Sequence, residues 1–125
     1  MIPVSLTIRR LRNELPRFGY AFAREGQLQE AIGAVLAEAG IPFEREFVAS
    51  EKSRLDFFID GAVAVEVKVD GSAAAALQQA ARYCTIDQVQ AVVLVATPAW
   101  ARALVPEFVS SGKAIHIIAL RRQAF

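Results

Sequence analysis

The stretch from Arg54 to Val69 constrains this chain most. It reads as two short apolar runs, Leu55–Ile59 and Ala62–Val69, joined by Asp60-Gly61. Asp-Gly between alternating apolar residues marks a tight β-hairpin turn, whose central positions need positive φ. In the second run Val63, Val65, Val67 and Val69 fall on one face, because side chains alternate along a strand. Glu66 and Lys68 therefore share the opposite face, about 6.6 to 7 Å apart along the strand. Asp56 interrupts the first run in the same way. Charged groups are seldom buried among valines unless they are paired or bind a metal. Asp56, Glu66 and Lys68 thus form either a cross-strand salt bridge on an exposed sheet face or a site gathered for chemistry.

The flanking sequence supplies the rest of a layered fold. Leu6 to Leu15 is a short amphipathic basic helix ended by Pro16. Gln27 to Ala39 is the clearest helix: Leu28, Ile32, Val35, Leu36 and Ala39 keep the helical period, and Gly40 and Pro42 stop it. Phe43 to Ala49 is a strand preceding the hairpin. Ser72 can cap a helix running to Cys84, and Gln90 to Ala96 is a continuous apolar strand covered on both faces. A short helical stretch from Thr97-Pro98 to Leu104 and a last strand, Ala114 to Leu120, complete the chain. The order α-α-β-β-β-α-β-α-β predicts an α/β fold with a mixed β-sheet flanked by helices.

With 125 residues, 54% hydrophobic and 22% charged, the chain is expected to form a single domain over 1–125 with a real core. No apolar run is long enough to span a membrane, and no secretory signal is evident. One cysteine, Cys84, excludes an intrachain disulfide framework and suits a cytoplasmic location. One Cys and one His argue against a zinc site. The net charge of +1 hides an uneven distribution. Residues 1–24 carry Arg9, Arg10, Arg12, Arg17 and Arg24 against Glu14 alone, while the middle of the chain is acidic. A basic N-terminal segment beside an acidic site suits a phosphate polymer approaching bound metal; a solvated helix with surface arginines explains the same run.

Phosphodiester hydrolysis needs a nucleophilic water, neutralised charge on the phosphate and a stabilised leaving oxygen. Mg²⁺ or Mn²⁺ can supply much of this, and Mg²⁺ takes hard oxygen ligands, typically one or two carboxylates with several waters retained. Asp56 and Glu66 can converge on one ion, Val67 can add its backbone carbonyl, and Lys68 can orient or deprotonate the attacking water.

Asp56, nine intervening residues and then Glu66-x-Lys68, with apolar strand residues around both parts, resembles the PD-(D/E)XK nuclease superfamily. The resemblance extends to an acid-bearing helix before the strands, here with Glu30. It also takes in Gln79 and Tyr83 on the following helix and the apolar strand Val92 to Val95, roughly residues 26–96. Leu55 stands where the name of the motif has proline. The resemblance implies a restriction-endonuclease-like core and metal-dependent cleavage of DNA, with Asp56, Glu66 and Lys68 at the motif positions and Glu30 and Gln79 as auxiliaries. Small members similar to Holliday-junction resolvases often dimerise, so a homodimer is an expectation of the same kind.

Glu30 lies nearly opposite the apolar stripe of its helix, where a solvated residue is expected. Gln79 reads equally as a metal-water contact or as a helix-surface residue. Lys52 and Arg54, in a polar loop before Asp56, and the arginines Arg9, Arg10 and Arg12 are the candidate nucleic-acid contacts. Glu44 and Glu46 share a strand face, and Glu46 resembles an acid found there in some small superfamily members. His116 reads as an edge-strand residue, and Cys84 and Trp100 as packing residues. The alternative function, on the same fold, is a non-catalytic nucleic-acid-binding or assembly module.

Overall fold

The computed structural model describes residues 2–123. Helix α1 (Val4–Glu14) runs into a 3₁₀ turn at Leu15–Arg17 and the two-residue strand β1 (Gly19–Tyr20). Helix α2 (Glu25–Glu38) follows, then β2 (Phe43–Ser50), β3 (Ser53–Ile59), β4 (Val63–Lys68) and α3 (Ala73–Tyr83). The chain continues through β5 (Ala91–Ala96), the short helix α4 (Trp100–Ala103), β6 (Glu107–Ser110), β7 (Lys113–Ala119) and β8 (Arg121–Arg122). No helix among the described residues is long and apolar enough to cross a membrane.

Local signals in the sequence explain most boundaries. Ile41 N–H donates to the Leu36 carbonyl (2.9 Å) and Gly40 N–H to that of Ala37 (3.1 Å), closing α2 in a Schellman motif around Gly40 at φ 71°. Asp60 and Gly61, at φ 53° and 64°, form a tight turn closed by Ala62 N–H donating to the Ile59 carbonyl (3.0 Å), and Ala62 completes a three-residue connection between Ile59 and its partner Val63. The Ser72 hydroxyl accepts from Ala75 N–H (3.1 Å) and caps α3.

The main sheet has six strands in the order β2-β3-β4-β5-β7-β6. Strands β4, β5 and β7 are parallel, whereas β2, β3 and β6 are antiparallel to their neighbours. It is a mixed sheet with helices on both faces. Val63, Val65 and Val67 pack with Leu28, Ile32 and Leu36 of α2 and Ile8 and Leu11 of α1. On the other face Ala64, Val92, Leu94 and Ile117 pack with Ala76, Ala80 and Tyr83 of α3.

Three strands escape the sequence reading. β1 and β8 pair in parallel over two residues each, too short for any periodicity to register. β6 directly follows Pro106 and is only four residues long.

One irregularity shapes the site. Phe43 and Phe57 belong to the α1/α2 layer, whereas Phe47 and Leu55 belong to the α3 layer. An even step along an unbroken strand keeps a side chain on one face, so both strands must reverse their facing locally. The reversal lies at Glu46 and Asp56: pairing passes from Arg45–Phe57 to Phe47–Leu55 in one register without joining them, and Glu46 has φ 49°.

Candidate active site

Asp56 lies where β3 separates from both neighbours. The β3–β4 ladder ends at Phe57–Val65, one step short of Asp56–Glu66. Side chains replace the missing backbone bonds. Val67 N–H donates to Asp56 Oδ2 (2.8 Å), and Asp56 N–H donates to Glu66 Oε1 (3.1 Å). Each carboxylate thus grips the other's strand. An extended residue directs its N–H and C=O to the same side, so the Val67 carbonyl also faces the gap holding Asp56. Lys68 Nζ stands 3.9 Å from Glu66 Oε2.

Burial makes these charges costly. Glu66 is only 4% exposed, and its carboxyl is pushed up to about 8, first by burial and then by the Asp56 charge. Asp56 N–H, Lys68 and the Tyr83 hydroxyl oppose that rise. The Asp56 carboxyl is also raised by burial, against the stabilising effect of Val67 N–H and Lys68, while Glu46 adds repulsion. A buried and a half-buried carboxyl raised together form an electrostatic well that added positive charge would relieve.

Helix α3 supports the pair from one face. Gln79 Nε2 donates to the Tyr83 hydroxyl (3.0 Å), which lies 3.4 Å from the Arg54 carbonyl and also faces Glu66. The hydroxyl has one hydrogen to place, and burial first, then the charges of Glu66 and Asp56, hold its own pKa above the ordinary phenol value. Gln79 therefore reaches Glu66 through Tyr83, and it lines an open cleft of about 390 Å³ with Glu25, Lys68, Asp70, Ser72 and Arg82.

The structure brings Asp56, Glu66, Val67 and Lys68 together, with Gln79 beside them. It does not bring Glu30. That carboxylate ion-pairs with Arg45, and its side chain is 75% exposed. The acid that α2 contributes is Glu25, on its first turn. Burial raises the Glu25 carboxyl first, then the charges of Asp56 and Asp70, with Lys68 acting against them. A helix wheel ranks residues by face and is blind to which helix end meets the site, and it is the first turn of α2 that meets it.

The basic segment is displaced too. Arg10 donates to the Ala39 and Gly40 carbonyls at the far end of α2 (3.1 and 3.4 Å). Arg12 donates to the Ile117 and Pro106 carbonyls (3.0 Å each) and approaches His116 Nδ1 (3.3 Å). Thr7 donates to Asp60 Oδ2 (2.6 Å), anchoring α1 at the hairpin turn, the opposite end of β4 from Lys68. Arg9 is exposed on the same helix. Lys52 and Arg54 do lie near the site, exposed in and after the β2–β3 turn, at the end of β3 that carries Asp56.

Among the described residues no three His, Cys, Asp or Glu side chains form a metal cage. A Mg²⁺ site does not require one, since that ion usually keeps water and takes one or two carboxylates. The hard oxygens of Asp56 and Glu66, with the Val67 carbonyl, fit that donor chemistry.

No protein-family model, curated protein or solved structure matches this chain.

Proposed function

We propose that this chain is a metal-dependent endonuclease of restriction-endonuclease-like fold that hydrolyses DNA phosphodiester bonds. The observation that carries the proposal is the reciprocal grip of Asp56 and Glu66 at the open end of the β3–β4 ladder, with Lys68 next along the strand. A salt bridge on an exposed face would not need Glu66 buried or the ladder interrupted.

Asp56 and Glu66, with the Val67 carbonyl, would hold Mg²⁺ or Mn²⁺. When bound, that ion supplies Lewis acidity toward the phosphate and lowers the pKa of a coordinated water. The chain's own groups set the geometry. The backbone N–H bonds fix one oxygen of each carboxylate and leave the other available. The Lys68 ammonium offsets negative charge where a phosphate would sit and orients the attacking water. Tyr83 and Gln79 lock the Glu66 side chain from behind.

One observation favours a non-catalytic module instead: each carboxylate already accepts a backbone N–H, so both serve a structural role without metal. Incubation with supercoiled, single-stranded and branched DNA in Mg²⁺, Mn²⁺ or EDTA separates the two. Cleavage that needs metal and disappears in Asp56→Ala and Lys68→Ala is the expected result. Equal background cutting by wild type and both variants on every substrate overturns the enzyme reading.

A further inference from the structure

We propose that the substrate's phosphate backbone crosses the protein along the edge where the parallel strands end, held by Arg24, Arg102, Arg121 and Arg122. This inference rests on the nuclease reading for the identity of the polymer, and on the fold for the track itself.

Strands β4, β5 and β7 are parallel and in register at their carboxyl ends, with Lys68 opposite Ala96 and Ala96 opposite Ala119. Lys68 and the carboxylates occupy that edge at β4. At β7 the chain passes through Leu120, whose N–H donates to the Ala96 carbonyl (2.9 Å), directly into Arg121 and Arg122. β4 and β7 are separated only by β5, so the backbones that lead to the two groups of charge lie roughly 10 Å apart across the sheet, the reach of a few nucleotide steps.

Otherwise unexplained features of the fold converge here. The β1–β8 pair joins Gly19 to Arg121 and Tyr20 to Arg122, fixing an exposed arginine dipeptide at this edge. Arg122 Nη2 donates to the Phe22 carbonyl (2.7 Å), and its guanidinium lies 4.4 Å from the Phe22 ring centre, which holds the cation flat. Two residues after Phe22, exposed Arg24 precedes the first turn of α2, where Glu25 senses Asp56 and Lys68. Arg102 Nη2 donates to the Leu120 carbonyl (3.3 Å) and completes the group. With Lys52 and Arg54 on the other side of Asp56, cations flank the acidic centre on both sides. A polyanion laid across this edge meets positive charge before and after the carboxylates, the pattern that positions a backbone without reading its sequence.

The test measures binding and cutting separately. Fluorescence anisotropy in EDTA over a salt series reports affinity for labelled single-stranded and duplex DNA. Metal-dependent cleavage is scored in parallel, and thermal melting checks folding. The probe variants are Arg121→Gln alone and Arg24→Gln/Arg121→Gln, which spare the carbonyl contacts of Arg102 and Arg122. The comparison is Arg9→Gln/Arg17→Gln on the α1 side. Under the proposal the double rim variant melts like wild type, binds about tenfold more weakly at moderate salt and shows a shallower salt slope. The comparison variant then binds like wild type. Wild-type affinity in the rim variants, or an equal or larger loss in the comparison variant, overturns the track even if Lys68-dependent cutting is intact. Loss confined to the rim variants with no metal-dependent cutting supports the track and overturns the nuclease reading. No DNA binding by wild type overturns both.

Discussion

Asp56 and Glu66 are coupled through each other's strands: the Asp56 N–H donates to Glu66 Oε1, and the residue after Glu66 donates its N–H to Asp56 Oδ2. Two like charges are thereby held close together at a point where the sheet offers no ladder bonds. Like charges so placed in a buried setting favour protonation or a cation.

The first consequence is a pH dependence of stability. Between the ordinary carboxylate range and about 8, the folded protein keeps a proton on Glu66 that the unfolded chain has released. Folding then takes up a proton, so stability falls as pH rises through this window, by up to roughly 1.4 kcal/mol per pH unit. Urea denaturation at several pH values from 5 to 8.5, without divalent metal, should show that decline. Glu66→Gln carries no ionisable group there and should flatten it. A wild-type profile that rises across the window refutes the coupling.

Divalent metal should act in the opposite direction. Ions that bind the folded state alone stabilise it by mass action, and binding to Glu66 displaces its proton. Millimolar Mg²⁺ or Mn²⁺ should therefore raise the melting temperature more at pH 8 than at pH 6. Asp56→Asn should abolish the rise. An equal rise in Asp56→Asn would assign the metal effect to some other site.

Removing one oxygen atom probes the support behind Glu66. The Tyr83 hydroxyl serves Gln79 and Glu66 and lies near the Arg54 carbonyl. Tyr83→Phe keeps the ring but leaves buried Glu66 and half-buried Gln79 short of a partner, at a cost of about 1–3 kcal/mol. It also removes a group that lowers the Glu66 pKa, so the fall in stability with pH should extend to higher pH. Unchanged stability together with an unchanged pH profile would place the hydroxyl outside the network.

Much of this arrangement was legible in sequence wherever a local rule applies. Asp60-Gly61 announced the hairpin, Ser72 the start of α3, and alternation put Glu66 and Lys68 on the face opposite the valines. The reversal of facing at Glu46 and Asp56 was not legible, because a period of two assumes an unbroken ladder and Glu46 gives no glycine-like warning of positive φ. Nor was the place of α1. Thr7, Arg10 and Arg12 bind partners 53, 29 and 94 to 105 residues away, and such distances leave no periodic trace. Charge composition identified the arginines of α1 as cations, but only topology shows Arg10 at the far end of α2 and Arg12 bonded to the Ile117 and Pro106 carbonyls.

The two acids of α2 give the sharpest contrast between sequence and structure. Glu30 was the expected auxiliary, yet it ion-pairs with Arg45 in solvent, whereas Glu25 sits in the cleft within the field of Asp56 and Lys68. A carboxylate there can hold Lys68 in place, and it would support an ion held by Asp56 and Glu66 from outside its ligands. Glu25→Gln should reduce metal-dependent cleavage about tenfold or more and shift its metal dependence to higher concentration. Glu30→Gln loses an exposed ion pair, and its activity should stay within about twofold of wild type with stability changed by less than about 1 kcal/mol. Single-turnover cleavage across a Mn²⁺ series, with the two variants side by side, is the measurement. If Glu30→Gln proves the more damaging, Glu25 is an ordinary cleft-wall residue, and α2 contributes to the site through its Arg45 contact.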